Sequence, residues 1–357
     1  MAVSGASPFV AIGSAIAGRS LGVASLACLP MLLVVLLRRR WFCRWACPVG
    51  LLNELLGRIR RSKPSAAAKL PPIGQWIVLI TLGGACFGYP VFLWMDPLAM
   101  FSGCLGMCWA PISAVGIIAG MGLPLVLIVS LLWPGAWCRR GCPLGAMQDL
   151  LAVPRRMMSR VRSKRPAASG MVFARRSVLA MGIGSAWAML TQGRSSAAGP
   201  RPLRPPGAVD EQQFTGLCVR CGNCVRACPT GVLRPDAGGH GIAALLTPVV
   251  HFDEGYCKED CNRCSQACPS GAIARLSLAK KKTTVIGLAV VDMDTCILNE
   301  AECSVCINAC PYNAITTEWD EATYLVTVKV EWEKCPGCGA CEAACPTSPK
   351  KAIVVRA

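Results

Sequence analysis

The stretch Cys218-Val219-Arg220-Cys221-Gly222-Asn223-Cys224-Val225-Arg226-Ala227-Cys228-Pro229 decides the reading of the second half of this 357-residue chain. Its spacing, C-x2-C-x2-C-x3-C-P, is the bacterial ferredoxin pattern. Three close cysteines wrap one corner of a [4Fe–4S] cubane. The fourth, turned away before its proline, ligates a neighbouring cluster. The pattern recurs three times. The further quartets are Cys257, Cys261, Cys264, Cys268; Cys296, Cys303, Cys306, Cys310; and Cys335, Cys338, Cys341, Cys345, each ending in Cys-Pro. Their first members lie 39 residues apart every time, an internal repeat. The second quartet opens its first gap to three residues and the third to six, which lengthens a loop without losing a ligand. Zinc sites use separated C-x2-C pairs, and disulfides do not need a repeated Cys-Pro. The sixteen cysteines therefore read as ligands of four [4Fe–4S] clusters. Adjacent pairing of quartets (first with second, third with fourth) and nested pairing (first with fourth, second with third) both fit the spacing.

Working outward, the apolar stretches Pro248–Asp253, Val285–Asp292 and Tyr324–Trp332 read as strands. Short helices are expected to carry the Cys runs or to follow each Cys-Pro. The result is an α+β tandem ferredoxin-like domain over residues 214–357, behind a Pro-rich linker at 201–213. Lys280-Lys281-Lys282 reads as a solvated hairpin turn, with a docking patch for an acidic partner as the sharper alternative. His240 and His251 belong to no motif and read as structural.

The first half has another composition. The chain carries 24 cysteines and a formal charge of +17. That charge is concentrated before residue 200, whereas residues 201–357 are close to neutral, so the sum does not indicate a nucleic-acid binder. Leu21–Leu37, Ile73–Trp94, Ile112–Trp133 and the shorter Val178–Leu190 are apolar runs, and Ala2–Gly18 is a fifth. A bilayer crossing takes about 17–25 residues, so four or five transmembrane spans are expected. Basic residues crowd 38–69 and 134–176 and are absent from 95–111. By the positive-inside rule, the basic segments face the cytoplasm and everything after about residue 194 lies outside it. Residues 1–165 thus read as an α-helical polytopic membrane domain. Residues 166–200, with Arg175-Arg176 before an apolar run and Ala197-Ala198 after it, read as a twin-arginine-like signal or anchor. The expected location is a bacterial inner membrane, multi-pass, with the ferredoxin on the periplasmic side.

A second motif repeats in this half. Cys43-Arg44-Trp45-Ala46-Cys47-Pro48-Val49-Gly50 and Cys138-Arg139-Arg140-Gly141-Cys142-Pro143-Leu144-Gly145 align at an offset of 95, and Glu54 aligns with Asp149. Cysteines spaced this way reach one face of a helical turn. Cys43, Cys47, Cys138 and Cys142 could converge on one further cluster or act as redox dithiols. Cys104 and Cys108 read as a disulfide or as packing, Cys28 and Cys86 as packing, and Asp96 as a solvated residue at a span end. There is no nucleotide-binding Gly loop, no C-x-x-C-H haem motif and no nucleophile–base constellation. Electron transfer is thus expected rather than catalysis, with quinol oxidation the one catalytic step left open.

The four quartets, with Lys282–Asp294 leading into the third, resemble the NapG/MauM-type exported ferredoxins. The doubled Cys-x3-Cys-Pro, with Asp96-Pro97-Leu98 between, resembles the NapH/MauN-type membrane ferredoxin proteins. The chain looks like a fusion of the two, departing from NapH-type proteins in lacking their own cytoplasmic quartets and in carrying its export signal internally. The resemblance implies transfer of electrons from quinol or a membrane partner to a periplasmic redox enzyme of nitrate-reductase type, or to a cytochrome, with the quinone pool as source. It also favours nested quartet pairing, by similarity to the β subunits of molybdenum oxidoreductases. A function of a different class, consistent with the same residues, is a membrane-bound iron–sulfur factor that supplies electrons for assembling or reactivating a metalloenzyme.

Overall fold

The computed structural model describes residues 3–19, 28–38, 40–60, 71–107, 114–153, 176–194, 201–253, 255–321 and 324–357. The chain forms two compact units. The first comprises residues 1–198 with 209–223 and 268–272; the second comprises 199–208, 224–267 and 273–357.

The first unit is helical. Apolar runs fold into helices shorter than the runs themselves. Ile73–Trp94 is helical only over Ile73–Cys86, then turns at Gly88 and passes Pro90 into a single tight turn at Leu93–Met95. Ile112–Trp133 gives two helices, Ala114–Gly120 and Gly122–Leu132, parted at Met121. Leu21–Leu37 contributes Leu29–Leu37, its first seven residues lying outside the described segments. Val178–Leu190 lies within Arg176–Arg194, which is 19 residues long but carries Ser177, Ser185, Thr191 and Gln192 among its apolar residues. Among the described residues no helix is long and apolar enough to cross a membrane.

The expected polytopic membrane domain, and with it the multi-pass inner-membrane location, is therefore corrected. An apolar run is a span only if one unbroken helix uses all of it, and here glycine, proline and turn residues divide the runs. The expected twin-arginine signal is not supported either; Arg175 lies outside the described residues, and Arg176 opens a helix.

These helices bury one face and leave Leu33, Leu125, Ile128, Leu179, Ile183 and Leu190 exposed on others. Arg176–Arg194 packs along Ile73–Cys86, with Ser185 Oγ donating to the carbonyl of Gly83 at 3.2 Å. The core gathers Phe9, Leu93, Leu98, Leu144 and Met147, all essentially without exposure, together with Cys47, Cys142, Val219 and Cys221. Asp96 is not solvated. It is fully buried, accepts from Ser7 Oγ at 2.6 Å, and accepts from the amides of Leu98 and Ala99, which open helix Pro97–Met107. This is N-terminal helix capping by a carboxylate.

The second unit is α+β and built of small pieces, as expected from the sequence. Three two-stranded antiparallel sheets form from β1 (Leu233–Pro235) with β2 (Pro248–Val250), β3 (Leu288–Val291) with β6 (Ile353–Arg356), and β4 (Ile315–Asp320) with β5 (Leu325–Val330). The β3–β6 pair joins residues that flank the last two quartets, Val291 opposite Ile353. One-turn helices at Asn223–Ala227, Arg263–Ala267, Val305–Asn308 and Ala340–Ala344 each carry the third cysteine of a quartet. Lys280-Lys281-Lys282 is the end of a helical turn, Leu278–Lys282, capped by Ser277 Oγ on the Lys280 amide at 3.2 Å. His240 places Nδ1 3.3 Å from Asp236 Oδ2 in the loop between β1 and β2, a structural position.

Candidate metal centres

In the second unit the quartets regroup. Cys257, Cys261 and Cys264 line a cavity of about 400 Å³, and the fourth wall is Cys228, the last cysteine of the first quartet. The rest of the lining is mostly apolar, including Pro229, Val232, Leu233 and Val250. Cys335, Cys338 and Cys341 line a second cavity of about 290 Å³ with Cys310, the last cysteine of the third quartet. Cys306 is electrostatically coupled to Cys296 and Cys303. Cys218, Cys221 and Cys268 lie in the first unit and Cys224 in the second. The last cysteines of the first and third quartets, Cys228 and Cys310, thus stand with the first three of the next quartet, the adjacent arrangement and not the nested one that the resemblance favoured. Nested exchange would have put Cys228 beside the fourth quartet, and it stands beside the second.

The cavities suit a cluster better than a single ion. Among the described residues no group of three or more His, Cys, Asp or Glu is close enough to hold one metal ion. The thiols surround a space instead of a point. Burial pushes Cys264 up to about 12, Cys338 to about 11 and Cys341 to about 12, because desolvation disfavours the charged thiolate. A cationic cluster core supplies that stabilisation, and ligand binding becomes folding energy. The tail cysteines carry thiols and not disulfides.

The two cavities adjoin. The amide of Cys257 donates to the carbonyl of Cys338 at 2.8 Å. Tyr312 lines the second cavity, feels both Cys338 and Cys257 electrostatically, and has a buried hydroxyl with no hydrogen-bond partner.

The first unit brings the other four cysteines together. Cys142 is electrostatically coupled to Cys43, Cys138 and Cys47. The arrangement is reciprocal between the two repeats. Asn53, six residues after Cys47, donates from Nδ2 to Cys138 Sγ at 3.1 Å, and Gln148, six residues after Cys142, donates from Nε2 to Cys43 Sγ at 3.2 Å. Both amides are buried. Arg40 bridges to Asp149 at 2.6 Å, tying the strand of chain before one motif to the helix after the other. Cys47 and Cys142 precede the helices Pro48–Arg60 and Pro143–Leu151, so their sulfurs face helix N-termini, and the Gly50 and Gly145 amides favour the thiolates. The motif glycine has a steric cause: a Cβ on Gly50 would lie 2.2 Å from the carbonyl oxygen of Cys43. Cys28 is buried as expected, whereas Cys86 is exposed. Cys108, the proposed partner of Cys104, lies outside the described residues.

Three residues of these centres carried no expectation from the sequence, and a fourth, Lys281, was expected in a solvated turn and is buried. Asn53 and Gln148 stand at the same 95-residue offset as the motifs, a signal that was present. Tyr312 occupies the position two after its cysteine where the other quartets have Thr230, Ser270 and Thr347. Lys281 is 2% exposed, unlike its two neighbours, and nothing in a run of three lysines tells which one is buried.

A chain with paired cysteine quartets around apolar cavities, stitched by short strands and one-turn helices, is a multi-cluster ferredoxin. The comparisons agree. A 4Fe-4S dicluster domain family matches residues 217–272 and 295–348, which also encloses the quartets in adjacent pairs. A 4Fe-4S binding domain family matches 21–66 and 115–164, around the two Cys-x3-Cys-Pro motifs. The ferredoxin-type protein NapG of Escherichia coli is 38% identical over 169 residues, covering 44% of this chain and 71% of that protein. The methylamine utilization ferredoxin-type protein MauM of Methylorubrum extorquens is 39% identical over 158 residues, 42% of this chain and 71% of that protein. The ferredoxin-type protein NapF of E. coli is 31% identical, covering 41% of this chain and 81% of that protein. This chain belongs to the NapG/MauM family of ferredoxin-type proteins, and it binds multiple [4Fe–4S] clusters. No solved structure matches it.

Proposed function

We propose that the chain is an electron wire with four [4Fe–4S] centres in its tail and a fifth at Cys43, Cys47, Cys138 and Cys142. A [4Fe–4S] cluster supplies a one-electron store at each site. The residues hold the stores in series. Cys257, Cys261, Cys264 and Cys228 make one inner centre; Cys335, Cys338, Cys341 and Cys310 make the other. By the exchange rule for two-cluster ferredoxins, Cys296, Cys303, Cys306 and Cys345 make one outer centre, and the remaining cysteines of the first two quartets serve the other. The observation that carries this order is the contact between the inner centres, where the Cys257 amide meets the Cys338 carbonyl. At the other end, Cys221 shares one buried core with Cys47 and Cys142, which supports the fifth centre as the next station.

The partner is a redox enzyme, of the periplasmic reductase or dehydrogenase class that the family resemblance implies. Full-length chain purified without oxygen tests the reading. Five centres predict about 20 irons and as many sulfides per chain, and potentiometric EPR should resolve several one-electron steps. About 16 irons would remove the fifth centre. Zinc or disulfides in place of sulfide-bearing iron would remove the reading altogether.

A further inference from the structure

Lys281 is the most deeply buried lysine of the second unit, at 2% exposure. Burying an ammonium is costly unless it is paired. Its Nζ donates to the backbone carbonyl of Lys258 and bears on the Cys257 thiol, and among the described residues no carboxylate pairs with it. The neighbouring lysines of the same helical turn are exposed, so this one side chain is specifically turned inward. The position is held by the capped turn Leu278–Lys282, with the Lys281 amide on the carbonyl of Ser277 at 2.9 Å.

A carbonyl and a thiol do not neutralise a buried cation. A four-thiolate iron–sulfur centre does, because its overall charge is negative. Resting on the inner centre proposed above, we infer that the Lys281 ammonium is the fixed counter-charge of the centre held by Cys257, Cys261, Cys264 and Cys228, and that it raises the reduction potential of that centre. Charge near a cluster is one of the protein's levers on potential. The adjoining centre at Cys310, Cys335, Cys338 and Cys341 has the neutral Tyr312 at its wall instead. The two inner centres thereby differ in potential, and the lysine-bearing one fills first.

The test uses the full chain with its clusters, comparing Lys281→Gln and Lys281→Arg. Iron and sulfide are counted first, then potentials are read by EPR-monitored titration. In Lys281→Gln one centre should become harder to reduce, its reduced-to-oxidised ratio at a fixed potential falling at least tenfold, about 59 mV for one electron. The other centres should stay in place, and Lys281→Arg should keep the parent value. Loss of one centre's iron in the Gln variant but not in the Arg variant equally supports a counter-charge. Full clusters with unmoved potentials in Lys281→Gln would overturn it, as would equal loss in both variants, which marks packing and not charge. If the parent chain itself has no iron centre at these cysteines, the underlying reading fails, an outcome visible in the iron count before any variant is made.

Discussion

The N-terminal cysteine group and the tail quartets hold their sulfurs by different means. In the tail three of the contacts on sulfur are local. Cys228 Sγ is 3.5 Å from Thr230 Oγ1, Cys268 Sγ is 3.8 Å from Ser270 Oγ, and Cys345 Sγ is 3.2 Å from Thr347 Oγ1, each hydroxyl two residues after its own cysteine. At the N-terminal centre the contacts are remote and mutual, Asn53 on Cys138 and Gln148 on Cys43. A local device can be copied with its motif, and the tail carries it three times. A reciprocal device exists only when both repeats fold together, so either half of the N-terminal centre depends on the other. Hydrogen bonds to sulfur set cluster potentials, so the two regions are tuned by different kinds of residue.

The largest expected effect breaks the exchange itself. Cys228→Ser should remove the inner centre built on Cys257, although Cys228 belongs in sequence to the first quartet. Cys310→Ser should do the same to the centre on Cys335, Cys338 and Cys341. Each loss is about four irons per chain, read by iron and sulfide analysis. Under nested exchange the losses would swap: Cys228→Ser would disable the fourth quartet's centre and Cys310→Ser the second's, so the EPR signal lost in each variant tells the two schemes apart.

A smaller effect comes from the thiols of the cluster-free chain. Burial raises Cys43 to about 12, Cys47 to about 11, and Cys264 and Cys341 to about 12, from an ordinary value of 9.0. The folded state therefore keeps protons that the unfolded state gives up. Stability is fully present below pH 9 and is lost as pH rises through 11 to 12. At pH 10 each such thiol contributes on the order of 1 kcal/mol less than at pH 8. Denaturant midpoints of cluster-free protein at the two pH values check the sign. A midpoint that rises with pH contradicts the burial of these thiols.

Next in size are the two amides of the N-terminal centre. Asn53→Leu strips a donor from Cys138, and Gln148→Leu strips one from Cys43. Each leaves a buried sulfur without its amide, at a cost of about 1 kcal/mol. The centre at Cys43, Cys47, Cys138 and Cys142 should become harder to reduce in each variant. Because the two donors share one centre, the double variant should deviate from the sum of the singles. Strictly additive shifts would separate the two halves that the reciprocal geometry joins.

Much of the tail was legible because its chemistry is written in spacing. Pro248–Val250, Leu288–Val291 and Leu325–Val330 fall inside the stretches read as strands, and the third cysteines sit on the expected short helices. Which quartet receives Cys228 was not legible, since both exchanges leave the spacing unchanged and only the packing of β1–β2 against the second quartet decides. The N-terminal half misled for a physical reason. Hydropathy counts residues along the chain, while a span needs one continuous helix. Met121 parts the helices within one run, Gly88 and Pro90 end another, and Asp96 is buried as a helix cap where a boundary residue was expected in water. The Cys-x3-Cys-Pro repeat survived this error, because the 95-residue offset that aligns the cysteines also aligns Asn53 with Gln148.

The finest test concerns the one tail quartet that departs from the local rule. The third quartet has Tyr312 where the others have Thr230, Ser270 and Thr347, so its hydroxyl cannot turn back onto its own cysteine as theirs do. It reaches instead to the junction of the inner centres, where burial and the Cys338 thiol raise its pKa and where it has no hydrogen-bond partner. A buried hydroxyl without a partner is costly, and an acceptor sulfur of a bound centre would remove that cost. Tyr312→Phe in the cluster-loaded chain should therefore lower the potential of the centre at Cys310, Cys335, Cys338 and Cys341 slightly, by less than the Asn53 or Gln148 variants lower theirs. Tyr312→Thr should restore the tail's local contact and return most of the shift. Equal potentials in the Phe variant and the parent would mean that the ring, and not the hydroxyl, is what the junction uses. The reciprocal amides at Cys138 and Cys43 and the Lys281 ammonium at Cys257 would then remain as side-chain donors that act across sequence on a sulfur, neutral in the N-terminal group and charged in the tail.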